Sequence, residues 1–230
     1  MNFSGFQKLT LLDYPEHVAC TLFTKGCNFR CPFCHNALLV TEHQAGEQHS
    51  DTEILSYLQK RTGILDGVCI TGGEPLLQPE LPTFIRQVKA LGYQVKLDTN
   101  GSFPDRLKAL AAEGLLDYVA MDIKNSMERY GETVALPDFD TKPVEESIDF
   151  LLTGSVPFEF RTTVVAEFHT IQDIVAIAKR IQGAPKYFLQ NFVDSGCLIG
   201  ENLHPVDKKV MENMKNAATE HLSEVQLRGL

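Results

Sequence analysis

His17-Val18-Ala19-Cys20-Thr21-Leu22-Phe23-Thr24 runs through Lys25-Gly26 into Cys27-Asn28-Phe29-Arg30-Cys31-Pro32-Phe33-Cys34. An apolar run containing β-branched residues predicts a strand covered on both faces, and the glycine after it predicts the turn out of that strand. Five further candidate strands follow, at residues 66–71, 93–98, 117–122, 157–164 and 186–191, and residues 223–230 read as a late additional strand. Between them stand helical patterns. Ser50-Asp51-Thr52-Glu53 reads as a capping box opening a helix that stops before Gly63. Pro79 and Gly92 bracket a second helix, with Leu81, Phe84, Ile85, Val88 and Leu91 on one face. Leu107 with Leu110 and Ala111, Val144 with Ile148 and Leu151, Ile174 with Val175, Ala178 and Ile181, and Val210 with Met214 and Ala217 mark four more buried stripes. Residues 130–141 read as an irregular loop. Strands alternating with helices predict an α/β fold with parallel strands. Six such cycles suit either a partial barrel or an open doubly wound sheet, and both put chemistry at the C-terminal ends of the strands.

With 230 residues and 43% apolar side chains, the chain can bury one substantial core, so a single domain spanning 1–230 is expected. Acidic side chains outnumber basic ones, 30 to 21, and the net charge of −9 argues against nucleic acid as a partner. Neither the start nor any later stretch is apolar for long enough to be a secretory signal or a membrane span, so a cytoplasmic protein with no membrane partner is expected. Six cysteines are too few for a disulfide scaffold, and three of them crowd into positions 27–34, which points to a metal. Cys69 and Cys197 have no spacing partner and read as a core thiol and a loop thiol. His17, His43, His49, His169, His204 and His221 are scattered and read as solvated or structural.

Cys27, Cys31 and Cys34, at C-x3-C-x2-C spacing, supply three ligands where an iron-sulfur cubane normally takes four, which leaves one iron open to something other than protein. A structural zinc site completed by Cys20 or His35 is the alternative. It fits poorly, because Cys20 lies within the first strand and no second pair of ligands follows. Gly72-Gly73-Glu74-Pro75 comes after the second strand, where two residues without a Cβ let backbone carbonyls come close to a ligand and the proline stiffens the turn. Asp98-Thr99-Asn100-Gly101 ends the third strand. A turn explains its second half, whereas a carboxylate in a barrel mouth needs a cation or a donor. The fourth strand ends in Met121-Asp122-Ile123-Lys124, where alternation sends Asp122 and Lys124 to one side as an ion pair. A rim salt bridge of small energetic weight is the competing explanation. Arg161 stands among Phe158, Phe160, Val164 and Val165, where a guanidinium is costly without an anionic partner. Gln190 and Asn191 end the sixth strand, where a neutral amide suits a polar ligand and strand termination explains it nearly as well. Polar groups closing strand after strand at one pole make the collective case for a site.

The eight residues from Cys27 to Cys34 resemble the signature of the radical S-adenosylmethionine superfamily, in which an aromatic residue, here Phe33, precedes the last cysteine. The resemblance extends over most of the chain. It implies a partial (β/α)6 barrel, a 4Fe-4S cluster held by Cys27, Cys31 and Cys34, and S-adenosylmethionine chelated at the open iron and cleaved to a 5′-deoxyadenosyl radical. Gly72-Gly73-Glu74-Pro75 looks like the family's GGEP element, which implies that Gly72, Gly73 and Glu74 receive the ammonium of S-adenosylmethionine. Asp98-Thr99-Asn100-Gly101 is similar to a segment of glycyl-radical activating enzymes that lies by the S-adenosylmethionine carboxylate. That likeness implies a binding role for Asp98, Thr99 and Asn100, with a monovalent cation beside Asp98 and Thr99 as in some members. Asp122 and Lys124 resemble an Asp-x-Lys element in the active site of the same enzymes, near S-adenosylmethionine and the substrate glycine.

Gly5-Phe6-Gln7-Lys8-Leu9-Thr10-Leu11-Leu12-Asp13-Tyr14-Pro15, with residues 26–36, 96–101 and 119–124, looks like the anaerobic ribonucleoside-triphosphate reductase activating subgroup. This implies hydrogen abstraction from a glycine Cα of a partner reductase, a glycyl-radical enzyme, with flavodoxin or ferredoxin as electron donor. Residues 37–68 contain no cysteine, so the chain resembles the compact members that lack a ferredoxin-like insert there. Two other readings stay open. One is radical chemistry on a small molecule, as in the 7-carboxy-7-deazaguanine synthases. The other is an iron-sulfur electron carrier or redox sensor, which leaves the segments at 72–75 and 98–101 unexplained.

Overall fold

The computed structural model describes residues 1–41 and 48–230, so His43 lies outside the described residues. The chain divides into two compact units interleaved in sequence. Met1–Asn28, Leu38–Thr99 and Asp105–Val119 form the first, and Phe29–Ala37, Asn100–Pro104 and Ala120–Leu230 the second.

The first unit contains β1 (Asn2–Phe3), β2 (Gly5–Thr10), β3 (Ala19–Thr24), most of α1 (Ala37–Thr41), β4 (His49–Ser50), α2 (Asp51–Arg61), β5 (Gly67–Gly72), α3 (Leu81–Ala90), β6 (Gln94–Thr99) and most of α4 (Pro104–Ala112). Its strands lie in the order β2-β3-β5-β6. β3, β5 and β6 run parallel, with Leu22 beside Ile70 and Cys69 beside Lys96. Leu22, Val68, Ile70, Val95 and Leu97 on the strands, and Ile54, Leu58, Phe84, Ile85 and Val88 on the helices, are fully buried and make the core. Each such side chain contributes about 1.5–3 kcal/mol by leaving water. β2 was not expected. It pairs antiparallel with β3, and its Gln7, Lys8 and Leu9 are exposed. The capping box at the start of α2 is half made: Ser50 Oγ accepts from Glu53 N at 3.2 Å. The Glu53 carboxylate instead meets His49 Nδ1 at 3.0 Å, because β4 pairs with β1 and brings that imidazole alongside.

β7 (Tyr118–Asp122) begins in the first unit and ends in the second, which continues with α5 (Tyr130–Thr133), α6 (Lys142–Leu152), β8 (Phe158–Val164), α7 (Ile171–Arg180), β9 (Tyr187–Asn191), α8 (Lys208–Thr219) and β10 (Val225–Arg228). β8, β9 and β10 are parallel, with Tyr187 between Phe160 and Val225. Ile123 N donates to Arg161 O at 2.8 Å, which joins the end of β7 to β8. Two expectations are corrected here. The segment 130–141 opens with the short helix α5 rather than irregular chain. The buried stripe of α8 is Met211, Met214 and Ala218, whereas Val210 is 37% exposed and Ala217 only half-buried. The true stripe keeps the i, i+3, i+7 spacing of one helical face, which Val210 leaves. A full capping box does occur, at Thr170 and Asp173 of α7, with aspartate in the place usually held by glutamate. Among the described residues no helix is long and apolar enough to cross a membrane.

Candidate active site

In the first unit, β3 runs out through Lys25 and Gly26 to Cys27, and the turn after β5 is laced against that exit. Gly73 N donates to Thr24 O at 3.0 Å and Glu74 N to Gly26 O at 2.8 Å. The room left by the missing Cβ atoms is taken by the protein's own backbone. A Cβ on Gly73 would stand 1.9 Å from Gly26 O, and one on Gly72, whose φ is +114°, 2.4 Å from Thr24 N. Glu74 is fully buried. Its Oε1 caps the following 3-10 turn by accepting Leu76 N at 3.0 Å, and it also accepts the Thr99 hydroxyl at 2.9 Å. Thr99 ends β6, one residue after Asp98. Lys96, which sequence reading passed over, is buried and ion-paired with Asp98.

In the second unit, Cys34 N donates to Cys31 O at 3.1 Å, so the last two cysteines share one tight turn. Cys31 is 7% exposed and Cys34 half-buried. Burial pushes the Cys34 thiol above its ordinary pKa, although Lys124 and Arg30 pull the other way. Phe33 is buried between Phe168 and His169, with ring centroids at 5.8 and 6.3 Å. His169 is itself buried and meets Lys124 O through Nε2 at 2.8 Å, a structural role as expected. Asn100 Oδ1 accepts Ser102 N at 3.0 Å, an Asx turn of the kind its sequence suggested. Gln190 is half-buried at the end of β9. Asn191 next to it is engaged in both directions with Val206, donating Nδ2 to its carbonyl and accepting its N–H, each at 2.9 Å.

Asp122 binds two cations at the end of β7. Lys124 Nζ lies 3.0 Å from Oδ2, the pair predicted by alternation, and Arg161 Nε lies 2.8 Å from Oδ1. The anion required by Arg161 is therefore supplied, at least in part, by the neighbouring strand. Burial would raise the Asp122 carboxyl, but Arg161 and then Lys124 outweigh it and hold it well below the usual carboxylate range. A group depressed in this way contributes stability above the ordinary aspartate pKa of about 3.9, and that contribution is lost as pH falls through the depressed value. Asp122→Asn is expected to lower stability by about 2 kcal/mol at neutral pH, by leaving two cations to face each other. In urea unfolding across pH the gap should persist down to about pH 4 and close only in stronger acid. A constant gap at every pH would assign the loss to packing.

The donor set suits an iron-sulfur cluster. Three soft thiols crowd one loop, and thiolate is the usual ligand of such clusters. The Tyr130 hydroxyl, buried on α5 with its ring 6.2 Å from that of Phe29, has no hydrogen-bond partner among the described residues. Burial holds its pKa up, against Lys124, whose charge and backbone both pull it down, so the hydroxyl keeps its proton. Among the described residues no three Cys, His, Asp or Glu side chains are already gathered as a metal site, so the fit rests on the donors and their surroundings. Cys20, buried in β3 with its thiol pushed up to about 12 by burial, behaves as a core residue. Cys69 is a buried thiol and Cys197 an exposed one, as their isolation in the sequence suggested.

The sequence matches the Radical SAM superfamily over residues 21–181. A protein of Methanocaldococcus jannaschii assigned as a glycyl-radical enzyme activating enzyme is 34% identical over 198 residues, 82% of this chain and 79% of that one. A 7-carboxy-7-deazaguanine synthase of Koribacter versatilis is 30% identical over 138 residues, 59% of this chain and 56% of that one. Among solved structures, Streptococcus suis SuiB bound to S-adenosylmethionine is similar in fold, with a TM-score of 0.70 at 11% identity over 90% of this chain and 49% of that one. The α/β fold expected from the strand and helix alternation and from the cysteine loop is the one found.

Proposed function

Because the chain belongs to the radical SAM superfamily, whose enzymes use a 4Fe-4S cluster and S-adenosylmethionine, we propose that it activates a glycyl-radical enzyme, an anaerobic ribonucleotide reductase, in the cytoplasm, with reduced flavodoxin or ferredoxin as electron donor. The observation that carries this reading is the likeness to a glycyl-radical enzyme activating relative along 82% of the chain, against 59% for the synthase. When bound, the cluster supplies the electron that cleaves S-adenosylmethionine to methionine and a 5′-deoxyadenosyl radical.

The chain's own residues have separable tasks in this reading. Cys27, Cys31 and Cys34 would hold the cluster, and Phe33 would shield it from water. The turn at Gly72, Gly73 and Glu74, with Asp98, Thr99 and Asn100, would receive the amino-acid end of S-adenosylmethionine. Lys124 and Arg161, braced by Asp122, would offer positive charge to a ligand carboxylate. Gln190 would meet the adenine or ribose. The radical would take one hydrogen from a glycine Cα of the partner, giving 5′-deoxyadenosine and leaving the unpaired electron on the partner's backbone.

The experiment is anaerobic incubation of the reduced protein, S-adenosylmethionine and a candidate reductase, followed by electron paramagnetic resonance. An organic doublet is expected in the reductase and not in its glycine-to-alanine variant. Cleavage of S-adenosylmethionine with no such signal, but with turnover of a 7-carboxy-7-deazaguanine precursor, would replace the partner protein by a small molecule.

A further inference from the structure

Lys96 and Asp98 alternate onto one side of β6, and the lysine's ammonium is ion-paired with Asp98 Oδ1. The lysine side chain is 2% exposed and the carboxylate 13%. Cys69, the cross-strand neighbour of Lys96 on β5, closes the group, with Sγ 3.9 Å from both Lys96 Nζ and Asp98 Oδ1. Long charged side chains are rarely this deeply buried without a partner, and a carboxylate this enclosed needs a counter-charge. Here the chain supplies that counter-charge itself, covalently attached two residues away. An alkali ion brought to Asp98 would have to approach an ammonium of like charge in a poorly screened setting. These residues therefore do not fit a free monovalent cation at Asp98.

We propose that Lys96 is a built-in cation, standing where a sodium or potassium ion would otherwise neutralise Asp98, so that this site needs no alkali ion. Lys96 acts through Asp98 and is a positioning residue. It keeps the carboxylate ionised and aimed while the next residue, Thr99, ties the end of the strand to Glu74. The consequence for S-adenosylmethionine binding rests on the function proposed above; the charge arrangement does not.

The test is thermal unfolding of the full, cluster-loaded chain in sodium, potassium and tetramethylammonium chloride at one ionic strength, with sodium NMR relaxation as an independent probe and no S-adenosylmethionine present. Wild-type melting points are expected to agree within about 1 °C, with no saturable sodium signal. Lys96→Met removes the ammonium and leaves the buried carboxylate short of that counter-charge. It should melt lower in tetramethylammonium and recover by about 5 °C in sodium or potassium, and adding Asp98→Asn should abolish that recovery. Alkali-specific stabilisation of the wild type that Asp98→Asn removes, or a Lys96→Met variant indifferent to the three salts, would overturn the proposal. Should Lys96→Met fold in none of them, the wild-type comparison decides: alkali-specific stabilisation contradicts the built-in cation and its absence supports it. Because no S-adenosylmethionine is present, failure here is distinct from failure of the proposed activity.

Discussion

Cys31→Ala is expected to leave a folded protein that retains little iron and forms 5′-deoxyadenosine at less than about one hundredth of the wild-type rate. Loss of a second-layer partner at a metal site already costs about 10–100-fold, and a direct ligand costs more. Cys31 is the most enclosed of the three loop thiols, so water is poorly placed to take over its coordination. The apo-fold should survive, because the tight turn to Cys34 is made by backbone atoms that alanine keeps. Removing one buried sulfur costs about 1 kcal/mol. Iron analysis, cluster absorbance and product formation would be measured beside a circular dichroism melt. Retained iron with undiminished product would remove Cys31 from the ligand set.

Gly73→Ala should be the most damaging single-methyl change in the first unit. Its Cβ would lie 1.9 Å from Gly26 O and 2.6 Å from Gly26 C, and both obstacles are backbone. The two hydrogen bonds that hold the turn to Thr24 and Gly26 would have to lengthen together. Overpacking and the lost bonds together set the expected loss at about 3 kcal/mol, or about 6–12 °C in melting temperature. Gly63→Ala serves as control: nothing lies within 4 Å of its Cβ, and only its φ of +80° opposes the change, for a cost of about 1 kcal/mol. The shift at Gly73 should also reduce cluster retention, since the displaced segment leads straight into Cys27. Equal melting of the two variants would mean that the turn relaxes freely.

The six expected strands were legible because each carries a short apolar run of β-branched or aromatic residues, and their bounds fall within two residues of expectation. β2 was not legible. Its Gln7 and Lys8 give no apolar alternation, and its place comes from pairing with β3 rather than from local preference. At the site, i and i+2 alternation sufficed to pair Asp122 with Lys124, but the bond from Arg161 depends on the register between strands, which no single strand's pattern contains. The same alternation places Lys96 beside Asp98, a pair for which the sequence reading made no claim. Glycines at 72 and 73 suggested a close approach to a ligand, whereas the missing Cβ atoms make room for the protein's own exit from β3. Val210 shows the opposite failure, an apolar side chain one position off the buried face.

The central claim is a cluster-dependent cleavage of S-adenosylmethionine, and it is tested most directly by assaying iron, sulfide and 5′-deoxyadenosine in one anaerobic preparation reduced with dithionite. About four iron and four sulfide per chain are expected, with 5′-deoxyadenosine appearing only when S-adenosylmethionine and reductant are both present. A colourless protein without sulfide, or a fully loaded one that never yields the nucleoside, would contradict the account.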